Sequence, residues 1–337
     1  MKTFPLRKFT SAPHKKQHGV ALMIVIFIFA LVSILSVGMY NRQSLFVQKA
    51  GNVLANTQAY QYAVASEVYG RRLLKADWDE ERDDPDFIDD SMLLQNSLII
   101  PVEEAFLEAQ VNDLQGKLNI NDLVKVDAKT VNTVVKDRFT RLFSRLAIAS
   151  IKVEALIDWM DTDQTPVSFD GAEDGEYLSL EPSYRNAGQP FQHLSELRLL
   201  PNITLEDYQK LLPHVNVLPQ GFVNVNVNTA TAEVLQSLTK TMTDQQAESL
   251  VEERDKEAWK TLANFKSDPV VSASNLVDEN LGVTSDFFEI ATKITLSDRV
   301  VRLISIVYRK FDDGVMTVIS RDQGQKYLIT KEKVAAP

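Results

Sequence analysis

Between Asp158 and Tyr184 the chain reads DWMDTDQTPVSFDGAEDGEYLSLEPSY. Oxygen-bearing side chains crowd it: Asp161, Asp163, Asp170, Glu173, Asp174 and Glu176, interleaved with Gly171 and Gly175. Carboxylates placed this densely repel one another unless a cation neutralises them, and Ca²⁺ accepts six to eight oxygens in a pliable geometry. The register is not that of an EF-hand, because the Gly and the closing Glu miss the required offsets. A solvated acidic turn accounts for the same composition, so the residues alone leave calcium and a bare loop both open. An acid/base pair drawn from Asp158, Asp161 and Asp163 would need two carboxyls across a substrate, and their spacing within one loop favours a cation or a turn. A second acidic run, Asp77 to Asp90, holds nine acids and one Arg. It reads as a solvated loop, with a cation site as the sharper alternative.

Other chemistry has little to stand on. His14 and His18 lie in the leader, while His193 and His214 stand alone in helical text as surface or interface residues. There is no P-loop, nucleophile elbow or zinc spacing, and no enzyme is expected. The chain has no cysteine, which excludes disulfides and thiolate metal sites. Two pieces resemble helix-hairpin-helix modules: Leu200-Pro201-Asn202-Ile203, and VNTATAEVLQSL leading into DQQAESLVEERDK. Phosphate binding by such hairpins needs Gly-rich backbone and nearby bases. Here Asn202 replaces the Gly and Glu206, Asp207, Glu248, Glu252 and Glu253 surround it, so they read as packing motifs with no nucleic-acid partner.

The acidic loop must be carried by helices. From about Leu123 to Val283, segments such as VKVDAKTVNTVVKDRFTRLFSRL, ASIKVEALIDWM, FQHLSELRLL and TLEDYQKLLPHV have helical spacing. Thr204 and Asn228 or Thr229 stand as caps, and Pro201 and Pro219 punctuate. On either side the text is strand-like. LIIPVEEAFLEAQVNDLQGKLNIND has apolar positions at Ala109, Val111, Leu114, Leu118 and Ile120 and a turn near Asp113 to Gly116. FFEIATKITLS, VVRLISIVYRKF and VMTVISRD follow the helices, with Asp312-Asp313-Gly314 as a hairpin turn. The expected fold is α+β, a long N-terminal helix packed on an antiparallel sheet with a large inserted all-α domain whose ends lie close together.

The amino-terminal text sets topology. A basic leader with Lys2, Arg7, Lys8, Lys15, Lys16 and no acid precedes VALMIVIFIFALVSILSVGM, which has no charge. Those residues span roughly 30 Å, a bilayer's hydrocarbon thickness, and the cations favour a cytoplasmic leader. Helix continues to about Ala76, with Tyr60, Val64, Val68, Leu73 and Leu74 suited to one face, for about 80 Å in all. Gly38 or Gly51 could instead admit a kink. The chain thus divides into a leader at 1–19, the helix at 20–76 with 20–39 in the membrane, the first part of a head at 77–122, the helical insert at 123–283 and closing strands with a polar tail at 284–337. Removing the five leader cations takes the net charge from −10 to −15, which argues against nucleic acid and for cations or basic protein faces.

A secretory signal would place a small-residue cleavage site behind the apolar run. The distinctive small residue, Gly19, lies ahead of it. A cut between Gly19 and Val20 would leave the apolar helix on the mature protein, and the segment resembles the type IV pilin and pseudopilin superfamily in this respect. Members of that superfamily usually carry Glu at the fifth mature position, where this chain has Ile24, and that departure resembles the K-type minor pseudopilins of type II secretion. LIDWMDTDQTP, then GAED, YLSLEPSYRNAGQPFQHLSELRLLPNIT, LLPHV and VNVNTATAEVL look like the running signature of that family.

The resemblance implies a pilin-like head and structural calcium in the insert, carried by Asp161, Asp163, Glu173 and Asp174, with Glu176 and Asp170 as further candidates. It also implies cleavage after Gly19 by a prepilin peptidase, methylation at Val20, and an inner-membrane anchor with the head in the periplasm. Expected partners are the I-type and J-type minor pseudopilins and, at the tip of the pseudopilus, the secretin or secreted cargo. A plain membrane-anchored binding protein and a helix-hairpin-helix DNA-uptake protein remain the alternatives.

Overall fold

Sixty-two residues without a proline, from Val20 to Glu81, form one helix, α1, in the computed structural model. The structure describes residues 19–81, 98–102, 105–221, 224–296 and 299–324. Gly19 precedes α1 at φ +115°, a backbone conformation open to Gly, and its carbonyl accepts from the Met23 N–H. The helix continues through Gly38 and Gly51 and runs five residues beyond Ala76. Residues 1–18 of the leader, most of the Asp77–Asp90 run and the tail from 325 lie outside the described residues.

The chain forms two compact units, residues 1–58 and 59–337, with the boundary inside α1. In the first, the apolar side chains from Val20 to Met39 are exposed all round the helix. Such a surface has no core to face, and the segment is long and apolar enough to cross a membrane.

In the second unit a five-stranded antiparallel sheet is ordered β1 (Leu98–Val102), β2 (Ala105–Asp113), β7 (Phe287–Leu296), β8 (Arg299–Arg309) and β9 (Met316–Asp322). The later part of α1 packs on it. Ala59, Ala63, Ser66, Glu67, Gly70 and Leu74 are buried at helical spacing, whereas Tyr60, Val64, Val68 and Leu73 are only half-buried beside them. Leu74 packs as expected with Leu73 beside it, but before them the face is turned from Tyr60, Val64 and Val68, because small residues let the helix approach closely. A Cβ on Gly70 would lie 3.1 Å from Ile290. Leu74, Val111, Phe288, Ile290 and Val307 form the core between helix and sheet.

The expected turn at Asp113 to Gly116 does not close a hairpin. It carries the chain out of the sheet: Asp113 lies opposite Phe288, the Leu114 N–H donates to the Phe287 carbonyl at 3.1 Å, and β1 and β2 form the N-terminal strand pair. Residues between β2 and β7 build a separate core around Phe139, Leu156, Trp159, Leu197, Val234 and Leu250. It begins earlier than Leu123, since β3 (Leu118–Asn119) belongs to it by pairing in parallel with β4 (Val215–Asn216). A second parallel pair joins β5 (Val225–Asn226) to β6 (Leu281–Gly282), so the segment is not all-α. Two-residue strands leave no alternation to read in the sequence. The helices are present but short: α2 (Thr133–Arg145), α3 (Val153–Met160), α4 (Asp174–Leu178), α5 (Leu205–Leu211), α6 (Ala232–Ser237) and α7 (Asp244–Arg254). Thr204 caps α5 as expected. Thr231 caps α6, while Asn228 is a buried bridge to the carbonyls of Trp259 and Val283.

Candidate metal centre

Asp158 and Asp161 stand three residues apart, so both fall on one face of α3 at its C-terminal end. Leu156, Ile157, Trp159 and Met160 pin that end into the core. Asp161 is the C-cap, in extended backbone, and its N–H still donates to the Ile157 carbonyl. The loop that follows folds back on Asp158. The N–H of Val167 donates to its Oδ1 at 3.0 Å and that of Ala172 to its Oδ2 at 2.8 Å. Gly171 is required at the closure, for a Cβ there would sit 2.0 Å from Oδ2 of Asp158. The loop then delivers Glu173, at the start of α4, to the same place.

One carboxylate oxygen from each of Asp158, Asp161 and Glu173 lies within 4.8 Å of the others. All three residues are buried, at 0%, 4% and 7% exposure. Oδ1 of Asp161 and Oε1 of Glu173 have no hydrogen-bond partner. Burial, with the charges of Asp163 and Asp158, pushes the Asp161 carboxyl up to about 6. Burial and the charges of Asp158, Asp161, Asp163 and Asp174 push Glu173 up to about 7. Burial also raises Asp158, although its two backbone donors oppose the shift. Buried lone pairs of like charge without donors cost several kcal/mol in sum. A hard divalent cation is the group that an all-oxygen donor set of this kind fits.

The expected ligands divide. Asp161 and Glu173 converge, joined by Asp158, whose signal was its three-residue spacing from Asp161. Asp163 is exposed and accepts from the Thr165 N–H at 2.8 Å, though its charge still reaches Asp161. Asp174 is engaged elsewhere, by the Asn186 N–H at 3.2 Å and Arg185 at 2.7 Å. Asp170 and Glu176 point to solvent. Ile24 is exposed within the apolar part of α1. His214 is buried against Thr231 and is no surface residue. Asn202 adopts φ +66°, taking the left-handed turn that Gly would otherwise serve. Asp207 beside that turn accepts from the backbone of Ala149 and Ser150.

Comparison with known proteins bears on what this site belongs to. Two family models described as type II secretion system, protein K match residues 116–220 and 225–284. The type II secretion system protein K of Pseudomonas aeruginosa is 31% identical over 317 residues, 92% of this chain and 93% of the relative. That of Klebsiella pneumoniae is 31% identical over 274 residues, 77% and 82%. The crystal structure of the GspK-GspI-GspJ complex from enterotoxigenic Escherichia coli contains a similar chain at 22% identity. Its TM-score is 0.69, with 80% of this chain and 97% of that one covered, which establishes the likeness of fold. A relative 31% identical over nine-tenths of both chains, together with the family matches over 116–220 and 225–284, shows that the chain belongs to the type II secretion system protein K family, with a minor-pseudopilin role in type II secretion.

Proposed function

We propose that the protein is the K-type minor pseudopilin at the tip of the periplasmic pseudopilus, where it supports export of folded proteins across the outer membrane. A prepilin peptidase cuts after Gly19 and the new amino terminus at Val20 is methylated. Residues 20–39 then anchor the protein in the inner membrane, with its pilin-like head in the periplasm. The apolar helix beginning at Val20, directly behind Gly19 and the cationic leader, supports this order of events. Ile24, in place of a carboxylate, suits a subunit with none ahead of it to engage, since an unpaired acid in hydrocarbon is costly.

The observation that carries the reading is the match to protein K over nine-tenths of the chain. The E. coli relative was crystallised with GspI and GspJ, and the I-type and J-type minor pseudopilins are the partners we assign here, through side-by-side packing of long helices. The head is then placed to meet the secretin or cargo. Co-purification from membranes with these two pseudopilins is the expected result, and a chain that purifies without either would overturn the assignment.

The same reading includes a structural calcium ion held by Asp158, Asp161 and Glu173, with Asp163 near enough to contribute charge. Bound there, calcium would offset two of the three buried negative charges and tie the end of α3 to the start of α4. The chain's own part is to hold Asp158 with two backbone donors and to leave oxygens of Asp161 and Glu173 open.

A further inference from the structure

Two adjacent acids at the start of α4 have opposite fates, and one residue divides them. Glu173 turns inward with a bare Oε1, although it occupies the N-cap position where a side chain would ordinarily satisfy the helix's own N–H groups. Asp174 turns outward. Asn186 touches both. Its backbone N–H donates to Oδ1 of Asp174 at 3.2 Å, while its side-chain Nδ2 donates to Oε2 of Glu173 at 2.7 Å and to the backbone carbonyl of Asp158 at 3.1 Å. An amide nitrogen has two N–H groups, and both are used. Both partners are acceptors, so the amide can stand only one way round, with nitrogen toward the site.

We propose that Asn186 is the positioning residue of the cation site, and this rests on the calcium reading above. It fixes Oε2 of Glu173 against the last turn of α3 and so presents Oε1 alone, making Glu173 a single-oxygen ligand. A neutral donor is needed for the task. A Lys or Arg here would orient Glu173 equally well but would also neutralise it, removing the negative charge that draws a cation. The guanidinium of Arg185 is spent on Asp174 at 2.7 Å and is largely exposed. Arg185 and Asn186 together therefore sort the acid pair, with Asp174 held out by the cation and Glu173 held in by the amide.

Calorimetric titration of the full chain in detergent with calcium chloride tests this. Asn186→Ala should weaken calcium binding by about 10- to 100-fold, the usual loss when a residue that orients a metal ligand is removed. Asp170→Asn, at an acid of the same loop that points to solvent, should bind within about twofold of the parent, as expected for an exposed charge. Melting measured with calcium and with excess chelator separates positioning from mere support: the Asn186→Ala deficit should be larger with calcium. Equal deficits in the two conditions, or an unchanged affinity, would overturn the proposal. If Asn186→Ala does not fold, Asn186→Ser, too short to span both acceptors, is read in the same way. A parent chain that takes up no calcium at all would instead refute the cation reading, and this inference with it.

Discussion

Asp161 is the residue on which the cation site is most exposed to test. Its Oδ1 is buried without a donor and faces two other carboxylates. Asp161→Asn removes a charge and keeps the shape. With excess chelator the variant should melt no lower than the parent, since one of three repelling charges has gone. With calcium at a hundred times its Kd the parent gains about 2.7 kcal/mol, and the variant should gain little of it. Thermal melts of the full chain with and without chelator read both outcomes. A variant that keeps the full calcium-dependent gain would show that the ion lies elsewhere. Gly171 offers a second approach, because Gly171→Ala places a methyl group 2.0 Å from Oδ2 of Asp158, far inside contact distance. The loop must then open, and calcium binding should fall while the α1–sheet core is untouched.

At the level of elements, the contact between α1 and the sheet combines close approach with buried charges, Glu67 of the helix among them. Glu67 is fully buried on the helix. Arg321 of β9 donates to its two oxygens at 2.5 and 2.9 Å, and Ser305 of β8 donates at 2.8 Å. Burial alone would raise this carboxyl, but the hydrogen bonds from Arg321 and Ser305 and the charges of Arg321 and Arg71 outweigh it and hold the carboxyl below its ordinary value. A depressed carboxyl contributes stability that is present above the unfolded-state value of 4.5 and is lost as pH falls through the folded value. The helix–sheet contact should therefore weaken below about pH 4.5. Glu67→Gln should cost about 1.5–3 kcal/mol near neutral pH, the usual worth of hydrogen bonds to a charged group. Its deficit should shrink in acid, and unfolding curves at several pH values would show it. A deficit independent of pH would mean that the carboxylate is not what joins β9 to α1.

For the molecule as a whole, the prediction concerns its mature form. Mass spectrometry of protein isolated from membranes should find an amino terminus at methylated Val20, and the chain's net charge should be −15 in place of −10. An intact Met1 would favour a plain anchored protein, and trimming behind Met39 would remove the assembly role altogether. The turn at Asn202 is one helix-hairpin-helix-like piece of the chain. Asp207 next to it already occupies backbone donors of Ala149 and Ser150, and a DNA titration at low salt should be flat.

The sequence by itself determined what depends on nearest neighbours along the chain. The uncharged run after Gly19, the alternating strands from Phe287 to Asp322 and the density of acids after Asp158 are all local, and so are the blocks that resemble protein K. Only the tertiary structure decided which parts meet. Asp158 enters the site because backbone donors nine and fourteen residues ahead close on it, and Asp174 leaves because Arg185 and Asn186 reach back. The helix face that packs is set by the small residues Ala59, Ala63 and Gly70, since the distance of approach to Ile290 outweighs the size of Val64 or Val68. Spacing in sequence reports which side chains share a face; which of them share a site depends on hydrogen bonds between segments that no local pattern encodes.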